Sequence, residues 1–161
     1  MDLVIFIGLQ ASGKTTFYHQ RFAATHDYVS KDQMRNVRRR ETRQHELVGV
    51  ALAAGRSVVV DNTNSRRADR TPLIEIGRRH EACIVGYYFR ADVRACLERN
   101  RKRAGRARVP DVAILATRKR LELPSYDEGF DALHYVELLG DGRFDLRDWS
   151  TSPPRVKTAG K

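Results

Sequence analysis

Gly8-Leu9-Gln10-Ala11-Ser12-Gly13-Lys14-Thr15 has the form G-x-x-x-x-G-K-[ST], a complete phosphate-binding loop. Its flanks suit the chemistry as well as its letters do. Leu3-Val4-Ile5-Phe6-Ile7 ahead of it is a short continuous apolar run of the kind a buried parallel strand uses. Thr15 to Ala24 behind it reads as a helix. Gly8 and Gly13 let the backbone turn sharply and come close to a phosphate chain. The loop's N–H groups and the helix N-terminus then face negative charge. Lys14 can reach the β- and γ-phosphates of a nucleotide, and the Thr15 hydroxyl can hold Mg²⁺.

Working outward, the 161 residues suit one domain with a sizeable core. No apolar run approaches a membrane span, and no signal peptide precedes the first strand. Neither membrane nor secretory chemistry is expected. Cys83 and Cys96 lack metal-ligand spacing and read as buried free thiols, which points to a reducing, cytoplasmic setting.

The net charge of +10 is localised. Between Lys31 and Arg43 there are six Lys/Arg and two acids; between Arg94 and Arg120 there are ten and two. The remainder of the chain is slightly acidic. Local positive charge of this size implies an anionic partner larger than a triphosphate, and nucleic acid is the leading candidate. Solvated helix faces are the alternative.

Strand signals recur at 3–7, 27–30, 57–60, 83–89 and 133–138. Helical segments lie between them at 14–24, 32–54, 66–80, 92–103 and 111–122. This alternation indicates an α/β fold, a parallel sheet with helices on both faces. The 32–54 segment is almost all polar from Arg38 to Glu46, so either a break or an exposed middle is expected near Arg40–Glu41. Gly55 is a natural helix stop. Pro72 either opens or kinks the 66–80 helix. Residues 1–140 are expected to form the domain. Residues 141–161, rich in Gly, Pro, Ser and charge, read as a basic flexible tail in which only Phe144 and Trp149 have the means to dock.

In such sheets ligands sit at the carboxyl ends of the strands. Asp61 follows Val58-Val59-Val60 directly, where a carboxylate can hold the water shell of Mg²⁺. A turn-forming Asp is the plainer alternative. Asp32 follows Tyr28-Val29-Ser30. It is either a helix cap or a carboxylate that accepts a proton from an attacking hydroxyl. Arg35, three residues on, is either its helical ion-pair partner or a grip on an acceptor phosphate.

These elements occur in a recognisable order. The loop Gly8 to Thr16 comes first, then Ser30-Lys31-Asp32-Gln33-Met34-Arg35, Val60-Asp61-Asn62-Thr63-Asn64, Arg99-Asn100-Arg101-Lys102-Arg103 and Val109-Pro110. Over roughly residues 2–138 the chain resembles the polynucleotide 5′-hydroxyl kinases, in particular the kinase domain of the bacteriophage-type end-healing enzyme. More broadly, Pro124-Ser125-Tyr126-Asp127-Glu128-Gly129-Phe130 resembles AAA-type stand-alone P-loop kinases of mixed substrate.

The resemblance implies a three-layer P-loop fold with a five-stranded parallel sheet of order 2-3-1-4-5 and an arginine-rich lid. It implies ATP and Mg²⁺ as cofactors and 5′-hydroxyl ends of RNA or DNA as acceptor. By it, Gly8, Ala11, Ser12, Gly13, Lys14, Thr15 and Thr16 hold the nucleotide, with Arg99 and Arg103 closing over its phosphates. Thr15 and Asp61 serve the metal, Asp32 is the general base, and Arg35 grips the acceptor's neighbouring phosphate. A fused 3′-phosphatase is not expected. The stretch Ala104-Gly105-Arg106-Ala107-Arg108 is one residue longer than the phage-type pattern, so Arg103, Arg106 and Arg108 all remain candidates for the γ-phosphate. Three functions stay open: a polynucleotide 5′-hydroxyl kinase, a kinase of a small hydroxyl-bearing metabolite, and an ATP-binding module or slow ATPase without its own acceptor.

Overall fold

A computed structural model describes residues 1–150. In chain order the elements are β1 (Asp2–Ile7), α1 (Lys14–Arg21), β2 (Asp27–Val29), α2 (Arg40–Ala53), β3 (Val58–Val60), α3 (Arg67–Arg79), β4 (Cys83–Phe89), α4 (Val93–Arg101), α5 (Asp111–Arg120), β5 (Ala132–Leu138) and β6 (Phe144–Asp148). Short 3₁₀ turns occupy Lys31–Gln33, Gly105–Ala107 and Tyr126–Glu128.

One sheet runs β2-β3-β1-β4-β5-β6. The first five strands are parallel, with Leu3 opposite Val58 on one side of β1 and Leu3 opposite Ile84 on the other. The expected order 2-3-1-4-5 is present, but the sheet has six strands rather than five. β6 adds antiparallel to β5, Val136 opposite Leu146.

Because side chains alternate along a strand, β1 feeds two cores. Leu3, Ile5 and Ile7 join Val48, Leu52, Leu73 and Ile84, beneath α2 and α3. Val4 and Phe6 join Phe17, Val59, Phe89 and Val136, beneath α1. The second core is largely aromatic, with Phe17 tilted against Phe6, Phe89 and Phe144 at centroid distances of 5.9, 5.4 and 5.0 Å. Buried strands thus read as continuous apolar runs, which is why β1 and β3 were legible.

Three expectations need correction. Residues 32–54 do not form a single helix. Ser30 caps a 3₁₀ turn by accepting from the Asp32 N–H at 3.3 Å, Met34 is buried, and α2 starts only at Arg40, where a break or an exposed middle was expected. The intervening arginines have no apolar stripe to bury, so nothing pays to hold a helix there. α2 then stops as anticipated: Gly55 N–H donates to Leu52 and Arg56 N–H to Ala51. Second, Cys83 is exposed while Cys96 is buried; both are free thiols. Third, the segment read as the start of a flexible tail forms β6. Phe144 seals the α1 core, and Trp149 packs edge-on against Tyr88 at 5.4 Å. Polar letters hid a strand whose apolar contacts alternate with charge. Residues 151–161 of the expected tail lie outside the described residues. Pro72 sits inside α3 rather than opening it.

Candidate active site

The carboxyl ends of β1, β2 and β3 open into a cleft of about 930 Å³. Its floor is the phosphate-binding loop. Gly13 adopts φ +97°, and a Cβ there would stand 3.1 Å from Leu138 and from the Phe144 ring. A side chain at this position would therefore meet both a strained backbone and the β5–β6 hairpin. At Gly8 a Cβ would come within 2.9 Å of the Phe89 Cβ, so this glycine is required by close strand packing. Ala11 also takes a positive φ of 60°, bending the loop between the two glycines.

Lys14 lies in the loop's interior. Its Nζ donates to the carbonyls of Leu9 at 2.5 Å and Gly8 at 3.2 Å and to Ser12 Oγ at 3.4 Å. Burial pulls its pKa below that of a free lysine, Asp61 and Asp32 oppose the shift, and Arg103 adds to it. Those charges, from three separate elements, therefore all act on one ammonium group.

Asp61 is buried at 5 % exposure. One of its oxygens, Oδ2, accepts from Thr15 Oγ1 and from the Tyr28 hydroxyl, each at 2.7 Å. Burial beside this carboxylate pushes the Tyr28 pKa far above that of an ordinary phenol, so Tyr28 remains a hydrogen-bond donor throughout the physiological range. A hydroxyl and a carboxylate in contact are hard oxygen donors of the kind Mg²⁺ takes, and Mg²⁺ usually needs only one or two carboxylates beside phosphate and water. The pair fits that ion. The next residue, Asn62, ties the turn after β2 to α2: its Oδ1 accepts from Lys31 N–H at 3.0 Å and its Nδ2 donates to Gln44 Oε1 at 2.9 Å.

Asp32 and Arg35 both line the cleft. They form no ion pair with each other. Arg35 Nε instead donates to the Asp32 backbone carbonyl at 3.4 Å, and the Asp32 carboxylate makes no hydrogen bond or ion pair among the described residues.

Asn100, fully buried, joins the Arg-Asn and Val-Pro elements. Its Nδ2 donates to the Val109 carbonyl at 2.7 Å while its Oδ1 accepts from the Val109 N–H at 3.1 Å. This closes the base of the loop that carries Lys102, Arg103, Arg106 and Arg108. Arg103 and Arg106 line the cleft; Arg108 does not. Arg99 lies outside the lining too. Its Nε donates to the Ala11 carbonyl at 2.6 Å, bracing the bent loop from behind. Gly8, Ser12 and Thr16 likewise do not line the cleft, the first two being buried beneath it and Thr16 exposed on α1.

Sequence reasoning missed Tyr28, Arg40, Arg66 and Arg120, which also line the cleft. Tyr28 had a signal, since it lies near the carboxyl end of a predicted strand. Arg120 had only its place at the end of the basic Arg94–Arg120 segment, and Arg66 had none: both reach the cleft through tertiary contact between elements far apart in sequence.

The cleft's cations share one property. Lys14, Lys31, Arg35, Arg40, Arg66, Arg103, Arg106 and Arg120 all line it. None forms an ion pair within 4 Å among the described residues. Ten arginines elsewhere do, from Arg43 with Glu46 to Arg147 with Glu137 and Asp145. The acids of the cleft are Asp32, Asp61 and Asp69, and Asp69 is engaged by the Arg66 N–H at 2.9 Å and the Ser65 hydroxyl at 3.4 Å. None of the described helices is long and apolar enough to cross a membrane.

Comparisons with known proteins agree with this architecture. The bifunctional polynucleotide phosphatase/kinase of Schizosaccharomyces pombe (strain 972) is 24% identical over 138 residues, 84% of this chain and 33% of its own length. The chain therefore spans about a third of the curated relative it matches. A sugar kinase from Janibacter sp. HTCC2649 has the same fold, with TM-score 0.63 and 17% identity over 84% of this chain and 85% of that one. A fungal RNA kinase also shares it, with TM-score 0.63 and 15% identity over 85% of this chain and 38% of that one. The fold is that of the P-loop kinases, and the chain belongs to the AAA domain family, whose sequence model matches residues 3–124.

Proposed function

We propose that this protein is an ATP-dependent phosphotransferase that moves the γ-phosphate of ATP to the 5′-hydroxyl end of RNA or DNA. The observation that carries the reading is the set of eight cleft cations without carboxylate partners. Triphosphate and loop amides account for Lys14 and a lid arginine or two. The remaining unpaired guanidiniums repel one another unless the acceptor itself brings negative charge. A neutral metabolite brings none. The polynucleotide kinase named in the S. pombe relative supports the same acceptor class.

In the proposed reaction the hydroxyl oxygen of the acceptor attacks the γ-phosphorus in line. The new O–P bond forms as the bond to the β-bridging oxygen breaks, giving ADP and a 5′-phosphate. The free Asp32 carboxylate accepts the hydroxyl proton. Lys14 and the loop N–H groups neutralise the β- and γ-oxygens, and Arg103 or Arg106 meets charge that spreads over the γ-phosphoryl group. Arg35 holds the phosphate next to the reacting nucleoside. Thr15 and Asp61 are the residues that would hold Mg²⁺, with Tyr28 fixing the carboxylate. The ion would supply charge stabilisation on the phosphate oxygens.

Acceptor KM measured against salt tests this reading. An oligonucleotide with a 5′-hydroxyl should be bound more weakly as salt rises, log KM changing by about 0.7 per log unit of salt for each phosphate contact to a single strand. A lone nucleoside should show little change. Equal use of both acceptors, insensitive to salt, would transfer the assignment to a small-molecule kinase; ATP turnover with no phosphorylated acceptor would leave a slow ATPase.

A further inference from the structure

Arg66 and Arg120 reach the cleft from elements that carry none of its other cations. They belong neither to the phosphate-binding loop nor to the segment carrying Asp32 and Arg35, and they lie outside the lid loop. The chain segments beside them are nevertheless fastened to each other. Glu122 N–H donates to the Ser65 carbonyl at 2.8 Å, and the Glu122 carboxylate accepts from Arg67 N–H at 2.5 Å. The buried Arg70 guanidinium bonds both strands of this junction, donating to the Asn64 carbonyl at 3.0 Å and the Glu122 carbonyl at 3.1 Å. It is itself held by Glu128 through two contacts of 2.7 Å.

On this fixed frame the nearby carboxylates are turned to backbone amides on one oxygen each. Asp69 caps the start of α3, and Glu122 holds the Arg67 amide. Arg120 is further positioned by Thr117, whose hydroxyl accepts from its Nη2 at 3.3 Å and from Gln10 of the phosphate-binding loop at 3.1 Å. Two exposed guanidiniums on a rigid junction, lining one cleft and forming no ion pair within 4 Å among the described residues, are suited to take an anion.

We infer that Arg66 and Arg120 form an acceptor subsite for a second phosphate, one nucleotide beyond the phosphate held by Arg35. This rests on the nucleic-acid reading above. It narrows the substrate class: the preferred acceptor carries at least two phosphates on the 3′ side of its reacting hydroxyl. A nucleoside 3′-monophosphate fills the Arg35 contact only.

The test uses purified full-length protein, ATP and three acceptors with a free 5′-hydroxyl: a nucleoside, a nucleoside 3′-monophosphate and a dinucleotide 3′-monophosphate. In the wild type, KM should fall at both steps of the series. Removing a charged hydrogen bond costs on the order of ten-fold in affinity, so Arg66→Ala and Arg120→Ala should each erase about ten-fold of the second step. Arg66→Lys should restore part of it. Lys119→Ala, the same charge change on α5 away from the cleft, should leave the second step intact and so exclude a general field effect.

Equal KM for the one- and two-phosphate acceptors in the wild type would overturn the subsite. So would Arg66→Ala and Arg120→Ala variants that lower kcat alike for every acceptor, since the two arginines would then serve the γ-phosphate. In either case transfer to nucleotides still occurs and the polynucleotide reading stands. Failure of all three acceptors would refute both.

Discussion

Glu128→Gln keeps the shape of a side chain at 3 % exposure but removes the charge that balances Arg70, itself fully buried. The pair is bidentate, with two contacts of 2.7 Å, and the Glu128 carboxylate also accepts from Ser125 N–H at 3.1 Å. Breaking a buried pair from one side typically costs about 3–5 kcal/mol, because the other charge stays buried and unpaired. For a chain of this size that is a fall in Tm of roughly 6–20 °C. The expected contrast is a double replacement, Arg70→Met with Glu128→Leu. It removes both charges, so the ion-pair cost disappears, but the Asn64 and Glu122 carbonyls lose their guanidinium donor. The Ser65 carbonyl loses its longer guanidinium contact of 3.4 Å as well, but it stays satisfied because Glu122 N–H still reaches it. Two unsatisfied carbonyls cost about 1–3 kcal/mol each, so the double variant should be destabilised as well, without an unpaired buried charge. Urea denaturation of the three proteins provides the measurement. A Glu128→Gln variant within 1 kcal/mol of the wild type, on the scale set by such pairs, would refute the claim that this ion pair holds the start of α3 to the segment between α5 and β5.

Lys14→Ala should abolish transfer and weaken ATP binding together, as read by nucleotide titration and phosphoryl transfer. Asp32→Asn should lower kcat by about 10²–10⁴ while ATP affinity holds; activity within a few-fold of wild type would make Asp32 only a turn residue. Ending the chain after Gly142 removes Phe144 from the aromatic core and Trp149 from Tyr88, so it should cost about 3–5 kcal/mol or more, seen as a large fall in Tm; an unchanged Tm would contradict the packing of β6. Burial lowers the pKa of His26 and of His45, so the unfolded chain binds more protons than the folded one as pH drops below the free-histidine range near about 6.5. Thermal stability should therefore fall with pH from 7 toward the depressed folded-state values, and His26→Gln should flatten part of that fall.

The phosphate-binding loop and the strand before it were legible because their constraints are local. A glycine at positive φ, a buried apolar run and a helix start all leave marks within a few residues. The order of the first five strands followed from alternation and resemblance. β6 was not legible, because what this end of the chain contributes is Phe144 at its start and Trp149 just past its end, set among polar residues, and only the partners Phe17, Gly13 and Tyr88 make them core. The break before α2 was visible as a gap in the apolar stripe, but the 3₁₀ turn capped by Ser30 was not. Arg99 illustrates the limit at the site. Its position in an arginine-rich motif says nothing of direction, and its side chain points at the Ala11 carbonyl rather than into the cleft. Asn100 shows the opposite case: a spacing to Val109 that looks arbitrary in sequence is a pair of hydrogen bonds in space.

The central claim, transfer of phosphate to a nucleic-acid end, is tested most directly by offering γ-labelled ATP with a 5′-hydroxyl oligonucleotide, a free nucleoside, gluconate and no acceptor. The account predicts label on the oligonucleotide's 5′ end, far less on the nucleoside and none on gluconate, all abolished by Lys14→Ala. Label on gluconate with none on the oligonucleotide, or inorganic phosphate alone whatever acceptor is present, would contradict it.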